Sequence, residues 1–168
     1  YDRMLINYLR DAGDRVDVVN LPVHSYVRCL FHNGSTKFQK ELSSHSWDLI
    51  IQDELCHASL CFMNGVLKKK NTIPLVALVH HLKCCEPLRS PAHQYVSFIE
   101  KKYLNSIDAF ICNSSPTKNS IKARLKRSVP FLVAHPGKDR LDVGNGEKPG
   151  RIEKYDEHEP LHIAFLAN

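Results

Sequence analysis

The chain is 168 residues long, 43% hydrophobic and 24% charged, the balance of a soluble globular domain with one well-buried core. Its formal charge is +5, partly concentrated in two short tracts, which points to anionic partners without identifying them. No run approaches the ~20 apolar residues that cross a bilayer, and the chain does not open on a secretory leader, so the expected compartment is the cytoplasm.

In chain order, residues 1–12 place Met4, Leu5, Tyr8, Leu9 and Ala12 at helical spacing and stop at Gly13, a residue suited to a helix end. The short apolar strand "VDVVNL" follows, then a short helix from about Thr36 to Ser44 and the strand "WDLIIQDE", which ends in acids. Residues 55–70 read as helix and "IPLVALVHH" as a fully buried strand. From Gln94 to Ile107, Val96, Ile99, Tyr103, Leu104 and Ile107 form one helical stripe, and "DAFICNS" is again a strand. Ser115 can cap the next helix, with Pro116 at its first position and its end near Arg127, before "PFLVAHPG".

Continuous apolar strands alternating with helices predict a doubly wound, Rossmann-like α/β domain with a parallel sheet. Such sheets bind ligands outside the carboxyl ends of their strands. Those ends carry Asp53 and Glu54, then His80 and His81, then Ser114 and its neighbours, then Gly137 in "HPG", with the Glu86 to Arg89 loop beside the histidines.

At the chain ends the pattern changes. The sequence opens in a helix where a doubly wound domain would have a central strand and a glycine-bearing turn. Residues 142–160 are polar, with glycine and proline, and read as a linker between a domain of residues 1–141 and a terminal strand, "LHIAFLAN", at 161–168. The expectation is that this strand opens a second domain; the alternative is that it fills the vacant central slot of the first domain's own sheet.

The six cysteines lie mostly in apolar segments and are expected to be reduced thiols. Cys84 and Cys85 are adjacent and lack the C-x-x-C spacing of a redox motif. A zinc site built from Cys56, His57, His81 and Cys84 is imaginable, but nothing in the spacing demands it.

The ordered series "VALVHHL", "FIEKKYLNSIDAFICNSSPTKNSI", "FLVAHPGKD", a linker and "LHIAFLAN" resembles the N-terminal, acceptor-binding half of the GT-B glycosyltransferases of family four, which are retaining enzymes. The resemblance implies a transferase of the hexosyltransferase type that moves sugar from a nucleotide-sugar donor to a glycan, lipid or small-molecule acceptor. It also implies a C-terminal donor domain as partner, no metal or other cofactor, and little activity for this half alone. By position, His80 matches the histidine that faces the sugar, Glu100 the acid of the "IE" element, Ser114 the serine after the next strand, and Gly137 the turn leading toward the linker. The family's N-terminal glycine loop and its carboxylate-bearing donor motif have no counterpart here.

Glycosyl transfer develops oxocarbenium character while a nucleotide diphosphate departs, so the cleft needs hydrogen-bonding partners on sugar hydroxyls. A neutral His80 both donates and accepts. His81, Asp53, Glu54 and Glu86 are candidates for acceptor hydroxyls and Arg89 for an anionic group. Structural readings stand beside these: Asp53 and Glu54 at a helix start, Ser114 or Ser115 as a cap, Gly137 as a turn residue, Glu100 in a surface ion pair with Lys101 or Lys102.

Lys118, Lys122, Arg124, Lys126 and Arg127 share the last predicted helix with Ile121 and Leu125, which suits an anionic membrane surface and a peripheral location. Nucleic acid is not expected, because aromatic residues are not interleaved with the basic ones. Two other classes of function stay open: a stand-alone α/β ligand-binding or regulatory module, and a metal or thiol site built on the His and Cys cluster.

Overall fold

The structure, a computed structural model, describes residues 2–22, 24–43, 46–70, 72–86, 91–135 and 162–167. The elements run α1 (Asp2–Asp11), β1 (Arg15–Asn20), α2 (Tyr26–Phe31), α3 (Thr36–Ser43), β2 (Leu49–Asp53), α4 (His57–Leu60), α5 (Met63–Lys70), β3 (Leu75–Val79), α6 (Ala92–Leu104), β4 (Ala109–Cys112), α7 (Ser115–Lys122), β5 (Phe131–Val133) and β6 (His162–Ala167). Single 3₁₀ turns at His32–Gly34, Glu54–Cys56 and Lys83–Cys85 follow α2, β2 and β3.

Among the described residues, six strands form one parallel sheet in the order β1-β6-β2-β3-β4-β5. Period-two alternation divides each central strand between two faces. Ile50, Leu75, Ala77, Val79, Phe110 and Cys112 join the larger core cluster with Leu60, Tyr103 and Leu104 from the helices. Ile51 and Leu78 face the other way, with Val16, and are packed by Leu5, Ile6 and Leu9 of α1. Both faces are covered, so the predicted Rossmann-like α/β fold is the one observed.

The end of α1 shows why Gly13 is there. Its φ is 94°, a left-handed conformation, and the bonds from Gly13 N to Arg10 O (2.9 Å) and Asp14 N to Leu9 O (3.0 Å) close the last turn in the double pattern of a glycine C-cap.

Three elements depart from the sequence expectation. The segment Tyr26–Phe31 is a helix that the apolar pattern does not announce. The helix expected over 55–70 is broken, because the Asn33 Oδ1 accepts from both Phe62 N (2.8 Å) and Met63 N (3.1 Å) and starts α5 afresh. The helix expected to reach Arg127 stops at Lys122, where Arg124 N and Leu125 N both turn back to Ile121 O; beyond it Lys126 N bonds Asn105 Oδ1 and the Arg127 guanidinium bonds Ile107 O. The five basic residues therefore do not share one helix.

One group of polar side chains inside the core satisfies itself, although the buried hydroxyls of Ser43 and Tyr103 have no hydrogen-bond partner among the described residues. Gln52 and Asn64, both fully buried, exchange amide hydrogen bonds of 2.9 and 3.1 Å, and Asn64 Nδ2 also donates to Ser106 Oγ at 2.9 Å. This network ties β2 to α5 and to the end of α6, and spares each amide the cost of burial without a partner.

The terminal strand lies between β1 and β2, with Ile163 opposite Val16 on one side and Leu49 on the other. That is the central slot named in the second of the two sequence readings. A chain ending at residue 141 tests this placement by thermal unfolding: loss of the central ladder should detach β1 with α1 and broaden or abolish the cooperative transition, whereas an unchanged transition would mean that β6 does not belong to this sheet. Gly13→Ala should lower stability by about 1 kcal/mol in denaturant titration, the order expected for a side chain forced to positive φ.

Candidate functional site

The carboxyl ends of β2, β3 and β4 converge on one edge of the sheet. Asp53 closes β2; its side chain is only 4% exposed and its Oδ1 accepts from Leu55 N at 2.9 Å, starting the 3₁₀ turn that follows. Glu54 is the first residue of that turn and reaches across to β3, where its Oε2 accepts from His80 N at 2.9 Å. Burial is the main reason its carboxyl is pushed up from 4.5 to about 7; the Asp53 charge adds to this, and the His80 N–H opposes it.

His57 opens α4 behind Glu54. Its Nδ1 lies 2.8 Å from Glu54 O, which can only accept, so Nδ1 carries the proton and Nε2 is the acceptor for the Tyr26 hydroxyl at 3.0 Å. Burial lowers the pKa of His57, so the neutral ring this bonding pattern needs is the favoured one, and burial raises that of Tyr26. Through this pair, α2 is tied to the backbone of Glu54.

His80 is half-buried just beyond β3, and its peptide is held from both sides. Glu54 takes its N–H, and its carbonyl lies 3.4 Å from Thr117 Oγ1 of α7, whose single proton it shares with Asn113 Oδ1. Thr117 is in turn placed by Asn113 Oδ1 (3.1 Å) and Ser114 Oγ (2.9 Å), while Ser114 Oγ accepts from Thr117 N at 3.3 Å as the N-cap of α7. His81 is exposed next to it. Glu86 pairs with Lys83 at 2.7 Å, and that contact holds its carboxyl below the usual range.

Glu100 is not on the surface, so the ion pair with Lys101 or Lys102 does not form. It is 3% exposed on the inner face of α6 and accepts from Lys83 N at 2.7 Å and Cys84 N at 3.2 Å. Its place in "FIEKKYL" beside Ile99, on the apolar stripe that also carries Tyr103, is the signal that marks it as inward-facing.

The structure thus brings Asp53, Glu54, His80, His81, Glu86 and Ser114 to one edge, with Thr117, His57, Tyr26 and Glu100 behind them. Asp53 and Ser114 serve locally as caps, and Glu54 holds backbone. Thr117 and Tyr26 were not singled out in the sequence, and His57 was named only as a conceivable zinc ligand; the proximity of Thr117 to Ser114 at cap spacing is the one hint. Arg89 and Gly137 lie outside the described residues.

Among the described residues no group of three His, Cys, Asp or Glu side chains is placed to hold a metal ion, and all six cysteines are free. Burial first, and then the Glu100 carboxylate, push the Cys84 thiol up to about 12, so it is no thiolate nucleophile at neutral pH. A groove of about 580 Å³ between α5 and α6, lined by Phe62, Phe98, Lys101 and Lys102 among others, contains none of the strand-end residues.

A parallel sheet covered on both faces by helices, with polar groups gathered outside the carboxyl ends of its central strands, defines a Rossmann-like α/β domain. The chain matches the model for Glycosyltransferase Family 4 over residues 3–139, and it belongs to that family. No curated protein and no solved structure matches it.

The raised pKa of Glu54 has a consequence for stability. Below about pH 4.5 the group is protonated whether the chain is folded or not; as pH rises toward 7 the unfolded chain ionises first, so this group's contribution to stability is lost across that window and levels off above it. Glu54→Gln keeps an acceptor for His80 N but cannot titrate. Its urea midpoint should therefore gain on that of the parent between about pH 5 and about pH 8; a constant difference would mean that Glu54 ionises at its ordinary value.

Proposed function

We propose that this domain is the acceptor side of a retaining, hexosyl-type glycosyltransferase that moves a sugar from a nucleotide-sugar donor to a glycan, lipid-linked or small-molecule acceptor. Membership of the family supports the transferase activity. The observation that carries the role of the site is the His80 peptide, whose N–H and C=O are both engaged, by Glu54 and Thr117. A half-exposed imidazole on a fixed backbone, at the edge where such sheets bind ligands, is preorganised for a sugar hydroxyl.

In this reading a neutral His80 donates from one ring nitrogen and accepts at the other, stabilising the hydroxyl network of a sugar that develops positive charge at its anomeric carbon. His81 and Glu86 line the acceptor side and Asp53, Glu54 and Ser114 shape the edge; Arg89 and Gly137 are proposed as further substrate-binding residues. The nucleotide diphosphate is held by a separate donor domain, since residues 162–167 pair into this sheet as β6. No cofactor is required besides the donor itself. Lys118, Lys122 and Lys126 face an anionic lipid surface in this reading; Arg124 and Arg127 are drawn off to Ser120 O and Ile107 O. No helix among the described residues is long and apolar enough to cross a membrane.

The test is nucleotide diphosphate release by the full-length polypeptide across a panel of UDP-, GDP- and ADP-sugars. His80→Ala should lower turnover by roughly 10²-fold, the scale of losing one preorganised hydrogen-bonding group at the reacting centre. Turnover within a few-fold of the parent would remove His80 from the mechanism.

A further inference from the structure

We infer that Glu100 is a positioning residue for His80: from the inner face of α6 it grips the far end of the loop whose near end Glu54 holds, so that His80 and His81 are carried on a segment pinned at both ends. The inference rests on the role proposed for His80.

The loop needs such a grip because it leaves β3 and enters a 3₁₀ turn whose leading N–H groups have no intrahelical partners. Leu82, at the N-cap of that turn, has no side chain to supply one. Glu100 fills the gap from 16 and 17 residues away, one oxygen on Lys83 N and the other on Cys84 N. The carboxylate is set by its helix, since Val96, Ile99, Tyr103 and Leu104 lock α6 onto the core.

A neutral acceptor would also cap a turn, and a buried charge is costly unless well bonded. Other groups face the same carboxylate: His57 from α4, Tyr26 from α2, and the Cys84 side chain from the loop. The Lys83 ammonium is committed to Glu86, so backbone N–H groups, not a cation, answer the charge directly. A charged acceptor strengthens each of those bonds and lets one side chain hold two consecutive amides, which a single neutral oxygen does less well. A rigid loop near a reacting centre matters because small misplacements carry large rate penalties.

Glu100→Gln supplies one acceptor oxygen where two N–H groups converge and turns its NH₂ toward the other. Deuterium exchange of this chain should show the amides of Lys83 and Cys84 exchanging about 10-fold faster, while the strands keep their protection. In the full-length enzyme, nucleotide diphosphate release should fall about 10-fold in Glu100→Gln when His80 is present, and less than about 2-fold further when Glu100→Gln is added to His80→Ala. Glu100→Asp, which keeps the charge on a shorter arm, should fall between parent and Glu100→Gln in both readouts, and serves as the test if the amide variant does not fold. Unchanged exchange at Lys83 and Cys84, or losses that simply add in the double variant, would overturn the inference while leaving His80 in place. Parent-like turnover of His80→Ala would instead overturn the role of His80, and the inference with it.

Discussion

Two carboxylates that leave water to hold backbone amides are the constraint on which the carboxyl edge of this sheet depends. A strand that ends at the top of a parallel sheet must turn out into a loop whose N–H groups have lost their ladder partners, and a buried, unpaired amide costs on the order of 1–3 kcal/mol. Glu54 and Glu100 supply those partners for the segment after β3, from the turn after β2 and from α6. Each carboxylate is itself made bearable by the amides it bonds. The arrangement is mutual, and it turns a flexible exit into a defined platform for His80 and His81.

The two acids are nevertheless different. Glu54 is buried and crowded by Asp53, and although the backbone N–H groups of His80 and His81 oppose the shift, its carboxyl is raised to about 7. Glu100 has two amides and sits on a helix locked by core side chains. One end of the loop is therefore sensitive to proton activity near neutrality, and the other is set by packing. The neutral His57 and the Tyr26 hydroxyl extend this support to α2, so a helix that contributes nothing to the deepest core still bears on the geometry of the site.

Behind the edge, the remaining polar interior is spent on holding layers together. The Gln52, Asn64 and Ser106 network fixes β2 against α5 and α6, and Asn33 ties the turn after α2 to the start of α5. Such networks specify one packing of the helices where apolar contacts alone would accept several. They also explain why the α4 and α5 region is two pieces: a side chain oxygen that captures two successive N–H groups ends one helix and begins another.

The sequence by itself determined the sheet and the edge at which its polar strand ends gather. Strands buried on both faces must be apolar at consecutive positions, and amphipathic helices must repeat at 3.6 residues, so "LVALV", "LIIQD" and the stripe of α6 declare themselves. Gly13 was legible for the same reason, because caps depend on residue type at fixed local spacing, and the cap of α7 was legible to within one residue, Ser114 standing where the pattern points to Ser115. Only the tertiary structure decided what Glu100 does, that α2 exists, that the basic tract at 118–127 is broken, and that β6 sits between β1 and β2 in this chain. Each of these turns on partners far apart in sequence: amides across a loop, an asparagine or a carbonyl from another element, a slot left between two strands. Local pattern carries no record of such distances, and the hydrogen-bonding demands of buried backbone are settled only when the layers close.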